Sequence, residues 1–180
     1  MTLKPDSGIT SGGGADTRHG NWYDTAQICT NGHVINEQLI SSPHIKKKFC
    51  DKCGAPTITN CQYCRATIKG AYHFGPNISS WMRPSFCTNC GKPYPWTEAK
   101  LKAAQELVDE LDKLTPEERE LLKKSLDDIM LDTPQTIVAA TTFKKIATKA
   151  AKAGKATVKE LRKLVVDIAS ETAKKIILGK

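Results

Sequence analysis

Aromatic residues make up only 6 % of the 180 residues, too few for one well-packed core of that length. No apolar run extends beyond a few residues, so no stretch is long enough to cross a bilayer. The N-terminus is polar and rich in Gly and Ser, with no apolar h-region, and it predicts a cytoplasmic chain without a secretory signal. A Gly-rich phosphate loop, an HExxH helix and a nucleophile elbow are also missing. No catalytic constellation emerges, and the chain reads as a non-enzymatic protein with no evident small-molecule substrate. Its length suits one ordinary domain or two small ones. What it does have is seven cysteines. In a reducing compartment those thiols point to metal rather than to disulfides.

The ligand candidates fall into four pairs: Cys29 with His33, Cys50 with Cys53, Cys61 with Cys64, and Cys87 with Cys90. Three are Cys-x-x-Cys, the spacing at which a tight turn aims two thiolates at one tetrahedral ion. The first pair encloses Asn31-Gly32, a turn dipeptide. Seven cysteines leave one site a thiolate short, and His33 fills the gap, giving two complete four-ligand sites for two Zn²⁺ ions. His44 is the only rival for that place, while His19 and His73 read as surface histidines. A rubredoxin-type iron centre is the redox alternative, and the histidine ligand favours zinc.

Sharing an ion between adjacent pairs puts Cys29, His33, Cys50 and Cys53 at site 1 and Cys61, Cys64, Cys87 and Cys90 at site 2. A cross-braced arrangement would join alternate pairs instead. The flanks favour adjacency: Phe49-Cys50-Asp51-Lys52-Cys53-Gly54 and Phe86-Cys87-Thr88-Asn89-Cys90-Gly91 are one phrase used twice, each closing a ribbon. The glycine after the second cysteine suits the positive φ needed where the chain turns away from the metal. The phrases from Cys29 to Asn36 and from Phe86 to Glu98 resemble an uncharacterised bacterial family of unknown function that joins rubredoxin-like double zinc ribbons to a helical tail. The resemblance implies zinc ligands and a bacterial cytosolic setting, and brings no activity.

The expected fold is small α+β: tandem zinc ribbons of short strands and knuckles, followed by an all-α region of about four helices. Residues 1–21 read as a flexible leader, 22–96 as the double ribbon and 97–180 as the helical domain. In the insert between the second pair of knuckles, Tyr72, Phe74 and Trp81 are read as scarce core rather than as a binding platform. Beyond it, Leu101, Ala104, Val108 and Leu111 recur at helical spacing. Thr115-Pro116-Glu117-Glu118 is a capping box, Thr133-Pro134 restarts the chain, Gly154 stops it, and Thr157 with Glu160 opens a last helix. That helix carries the stripe Val158, Leu161, Val165, Ile168 and Ile176. The stripe has three possible covers: the other helices, a second copy, or an anionic membrane.

The formal charge is +8. Seven bound thiolates subtract seven and two Zn²⁺ restore four, leaving +5. Residues 97–132 form an acidic hairpin of net −5, and residues 133–180 form basic helices of net +8. The plainest account is two complementary faces of one bundle. The function read from all this is a zinc-binding adaptor with a protein partner or a second copy. The alternative is a nucleic-acid-binding protein that uses Lys46, Lys47 and Lys48 with the basic helices. Peripheral membrane contact is the least favoured. No aromatic residue is interleaved with the lysine triplet, so it offers no stacking groove for single strands.

Overall fold

The structure, a computed structural model, describes residues 20–152 and 155–179. Nearly all of the expected leader, with His19, and the expected helix stop at Gly154 lie outside these residues.

Two antiparallel sheets of three short strands carry the ligand loops. The strands are β1 (Trp22–Thr25), β2 (Gln27–Cys29), β3 (Val34–Asn36), β4 (Thr57–Ile58), β5 (Lys69–Phe74) and β6 (Asn77–Ile78). One sheet has the order β3-β2-β4 and the other β1-β5-β6. The two ribbons are interlocked. Strand β1 precedes the first ligand pair yet pairs with β5, which follows the third. Two hydrogen bonds continue the stitching: Ala26 N–H donates to the Ile68 carbonyl at 2.9 Å, and Ile68 N–H donates to that of Thr59 at 2.8 Å. A small shared core of Ala26, Ile28, Ile68, Tyr94 and Trp96 sits among the second set of cysteines. Its aromatic bulk comes from Tyr94 and Trp96, not from the insert. Trp81 packs on the edge of that core, while Tyr72 and Phe74 stand outside it, contrary to their reading as core.

Among the described residues five helices follow where about four are expected: α1 (Pro95–Asp109), α2 (Pro116–Ile129), α3 (Pro134–Ala151), α4 (Lys155–Ile168) and α5 (Glu171–Leu178). The extra one arises because Ser170 divides the last stretch. Its Oγ accepts from Ala173 N–H, and its own N–H donates to the Ile129 carbonyl at 3.0 Å, so the break is anchored to the end of α2. Thr115 and Glu118 form the expected capping box. Thr157 does not cap a helix, because α4 already runs from Lys155. Helix α1 begins at Pro95, so Trp96 belongs to a helix while its side chain fills the ribbon core.

The bundle core joins Val108, Leu122, Leu126, Phe143, Ala147, Leu161 and Val165. Val158, Leu161, Val165 and Ile168 are all buried within the chain, α4 being packed against α1 and α3. Part of the opposite charge is matched internally as well: Lys149 of α3 meets Glu118 of α2 at 2.5 Å, and Lys100 of α1 meets Asp167 of α4. Among the described residues no helix is long and apolar enough to cross a membrane.

Candidate metal centres

Each Cys-x-x-Cys turn is built by the same four backbone devices. The first cysteine donates its N–H to the carbonyl five residues on, and accepts at its own carbonyl from the N–H four residues on. This holds for Cys50 with Ala55 and Gly54, for Cys61 with Ala66 and Arg65, and for Cys87 with Lys92 and Gly91, at 2.8–3.0 Å throughout. An antiparallel bridge then closes each loop: Phe49 with Pro56, Asn60 with Thr67, Phe86 with Pro93. The fourth residue after the first cysteine turns left-handed, with φ of 70° at Gly54, 63° at Arg65 and 71° at Gly91. The Cys29–His33 loop is a variant closed by Cys29 N–H to the His33 carbonyl, with Gly32 at φ 86°. A Cβ on Gly32 would lie 2.8 Å from that of Trp96, so only glycine fits there.

These loops gather the ligands as two sets in the adjacent pairing: Cys29, His33, Cys50 and Cys53 in one, Cys61, Cys64, Cys87 and Cys90 in the other, all ligand atoms of a set within 4.8 Å of one another. A tetrahedral Zn²⁺ with Zn–S of about 2.3 Å and Zn–N of about 2.0 Å requires S···S edges of about 3.8 Å and S···N edges of about 3.5 Å. In the first set His33 Nδ1 lies 3.5, 3.6 and 3.3 Å from the sulfurs of Cys29, Cys50 and Cys53, and Cys29 lies 3.8 Å from Cys53. In the second, Cys61–Cys90 is 3.8 Å and Cys64–Cys87 is 3.7 Å. The residues fit two zinc ions, and all seven cysteines are free of disulfides.

Backbone N–H groups favour the thiolate at three of the sulfurs, those of Cys53, Cys64 and Cys87. The N–H of Ala55 holds the Cys53 thiol down at about 6, and that of Ala66 acts the same way on Cys64. At Cys87 burial works upward, but the N–H groups of Asn89 and Cys90 prevail and bring it to about 6. At Cys90 the Lys92 N–H favours the thiolate, yet burial and the three neighbouring thiols override it and push it up to about 12. Four sulfurs at this spacing cannot all ionise by themselves; a divalent cation removes the conflict. Outside the ligand shell, Asn31 Nδ2 lies 3.6 Å from Cys53 Sγ, and Tyr94 is packed against Cys87.

Several supporting residues carry no motif in the sequence. Gln27 grips the chain ahead of the second knuckle by donating to the Lys47 carbonyl at 2.7 Å and accepting from Lys47 N–H at 3.1 Å. Arg83, half-buried over the Trp96 ring, donates to the Gly32 carbonyl and ties the insert to the first ligand loop. His73, read from sequence as a surface residue, instead stacks on Trp22 at 4.3 Å with Nε2 3.3 Å from Asp24. His44 is exposed on a short 3-10 turn and belongs to neither set. In the lysine triplet, Lys47 is paired with Asp51 at 2.8 Å, and Lys46 and Lys48 are exposed.

Residues 22–177 match a family described as "Uncharacterized protein conserved in bacteria (DUF2321)". No curated protein and no solved structure matches the chain.

Proposed function

Because the chain belongs to the bacterial family that it matches over nearly its whole described length, we propose that this family member is a zinc-stapled, non-enzymatic adaptor whose helical bundle receives a protein partner. Both ligand sets supply four protein atoms, the closed shell typical of structural rather than catalytic zinc. The observation that carries the reading is an apolar groove between α2 and α3, lined by Leu121, Ser125, Val138, Ala139 and Thr142. Leu121 is 51 % and Val138 68 % exposed, an arrangement suited to the apolar face of an amphipathic helix.

A second copy of this chain is the occupant to test first, because it requires no other component. Light scattering of the zinc-loaded protein over a range of concentrations should give a dimer that becomes a monomer when Leu121 and Val138 are both replaced by Asp. A wild-type monomer at every concentration, with no cross-link formed from a photoreactive residue at position 138 in the bacterial host, would overturn the adaptor reading. A nucleic-acid function through the lysine triplet has thinner support, since Lys47 is already engaged with Asp51.

A further inference from the structure

We propose that the open face of the β1-β5-β6 sheet is a binding platform for single-stranded nucleic acid, with Tyr23, Tyr72 and Phe74 as stacking rings and Lys69 as a phosphate contact. Strand alternation sets the three rings in a row. Tyr23 lies directly across from Tyr72, and Phe74 follows two residues further along the same strand. The Tyr23–Tyr72 ring centroids are 4.7 Å apart and the Tyr72–Phe74 centroids 6.2 Å. In a module so short of aromatic core, Tyr23 is nevertheless 53 % and Phe74 40 % exposed. The next residue on each strand turns the other way: Trp22 stacks on His73, and Asp24, beside Tyr23, is buried. The apolar material is thus divided between a closed face and a displayed one. Beside Tyr23 the surface falls into a shallow cleft walled by Lys69, Trp81, Met82 and Pro84.

Charge selects the occupant. Between Asp51 and Glu98 the chain has no acidic residue, and Lys52, Arg65, Lys69, Arg83 and Lys92 all fall in that interval. The Lys69 ammonium lies 4.8 Å from the centre of the Tyr23 ring. The carboxylate beside Tyr23, that of Asp24, is used internally: it accepts from the N–H groups of Thr25, Ile40 and Ser41 and from the Ser41 hydroxyl. Rings in series with the Lys69 ammonium beside them match a polyanion whose bases are unstacked. A duplex keeps its base faces hidden, so the rings gain nothing from it.

The test is fluorescence anisotropy of the full, zinc-loaded chain with labelled oligothymidylate, oligouridylate and a duplex of equal length, at low and at physiological salt. The single strands should bind at least about tenfold more tightly than the duplex. Their affinity should fall as salt rises, because phosphate contacts release counterions. Tyr23→Ala combined with Phe74→Ala should weaken single-strand binding by about tenfold or more, whereas Tyr23→Phe with Phe74→Trp should keep it. Lys69→Ala should flatten the salt dependence by about one counterion. Lys46→Ala with Lys48→Ala should leave single-strand affinity unchanged. Each variant is read only with its zinc content and helical signal intact. The proposal is overturned by no single-strand binding at low salt, by equal affinity for the duplex, by affinity that follows Lys46 and Lys48 instead of the rings, or by preference for a proline-rich peptide or phosphatidylserine vesicles. None of these outcomes bears on the α2–α3 groove, whose Leu121 and Val138 lie outside the sheet.

Discussion

Arg65 holds the position that glycine fills in the two closing knuckles and adopts the same left-handed backbone. A non-glycine residue there costs about 1–2 kcal/mol, and glycine gives part of that back through its greater freedom in the unfolded chain. Arg65→Gly should therefore stabilise the zinc-loaded protein by about 0.5–1 kcal/mol in denaturant melts. Glycines 54 and 91 were legible from their place after a Cys-x-x-Cys pair; the left-handed turn at Arg65 was not, because nothing in an arginine signals it. Asp24 makes the other residue-scale case. Burial alone would raise its carboxyl, but the Ser41 hydroxyl and the N–H groups of Ile40, Thr25 and Ser41 outweigh burial and hold it below the ordinary carboxylate value. Its contribution to stability is then fully present above the unfolded value of about 3.9 and disappears as pH falls through the lower folded value. Asp24→Asn should cost about 2 kcal/mol at neutral pH, and the gap to wild type should close in acid melts.

At the scale of elements, the ribbons share a sheet, and this makes their losses unequal. Serine in place of Cys50 should halve the zinc content, with the helical circular dichroism retained. Serine in place of Cys87 should go further. Its knuckle leads into α1 through Tyr94 and Trp96, which are also the core of the strand region. Near-ultraviolet tryptophan signals should collapse in the Cys87 variant and persist in the Cys50 variant. Among the helices, the apolar stripe of α4 illustrates what periodicity can and cannot decide. Spacing identified Val158, Leu161, Val165 and Ile168 as one face, but a stripe demands a cover without naming it. With α1 and α3 as that cover, Val165→Asp together with Ile168→Asp should abolish the helical signal, because it places two carboxylates in the bundle core. Clean conversion of an oligomer to a folded monomer by this pair would contradict the observed packing.

For the whole molecule, the strand region has too little apolar core to fold without its ions, whereas the helices have a contiguous one. Metal analysis of purified protein should return two zinc ions per chain. Chelation should melt the strand region in a first transition, seen in tryptophan emission, and leave most of the helical signal for a second, metal-independent melt. A single transition that is insensitive to chelator would contradict this division.

The amino-acid sequence by itself pointed to the chemistry of this protein: which eight side chains could hold metal, their grouping as adjacent pairs, and strands with knuckles ahead of helices. These are local properties, written in spacings of a few residues, in turn glycines and in caps such as Thr115 with Glu118. Only the tertiary structure decided what lies next to what. It paired β1 with β5 across both ribbons, turned Tyr23 and Phe74 outward while drawing Trp96 in, divided the last helix at Ser170 by a bond to the end of α2, and closed the α4 stripe within the chain. Such contacts join residues tens of positions apart. They depend on volumes and directions that exist only once the chain is folded, and no local pattern carries them.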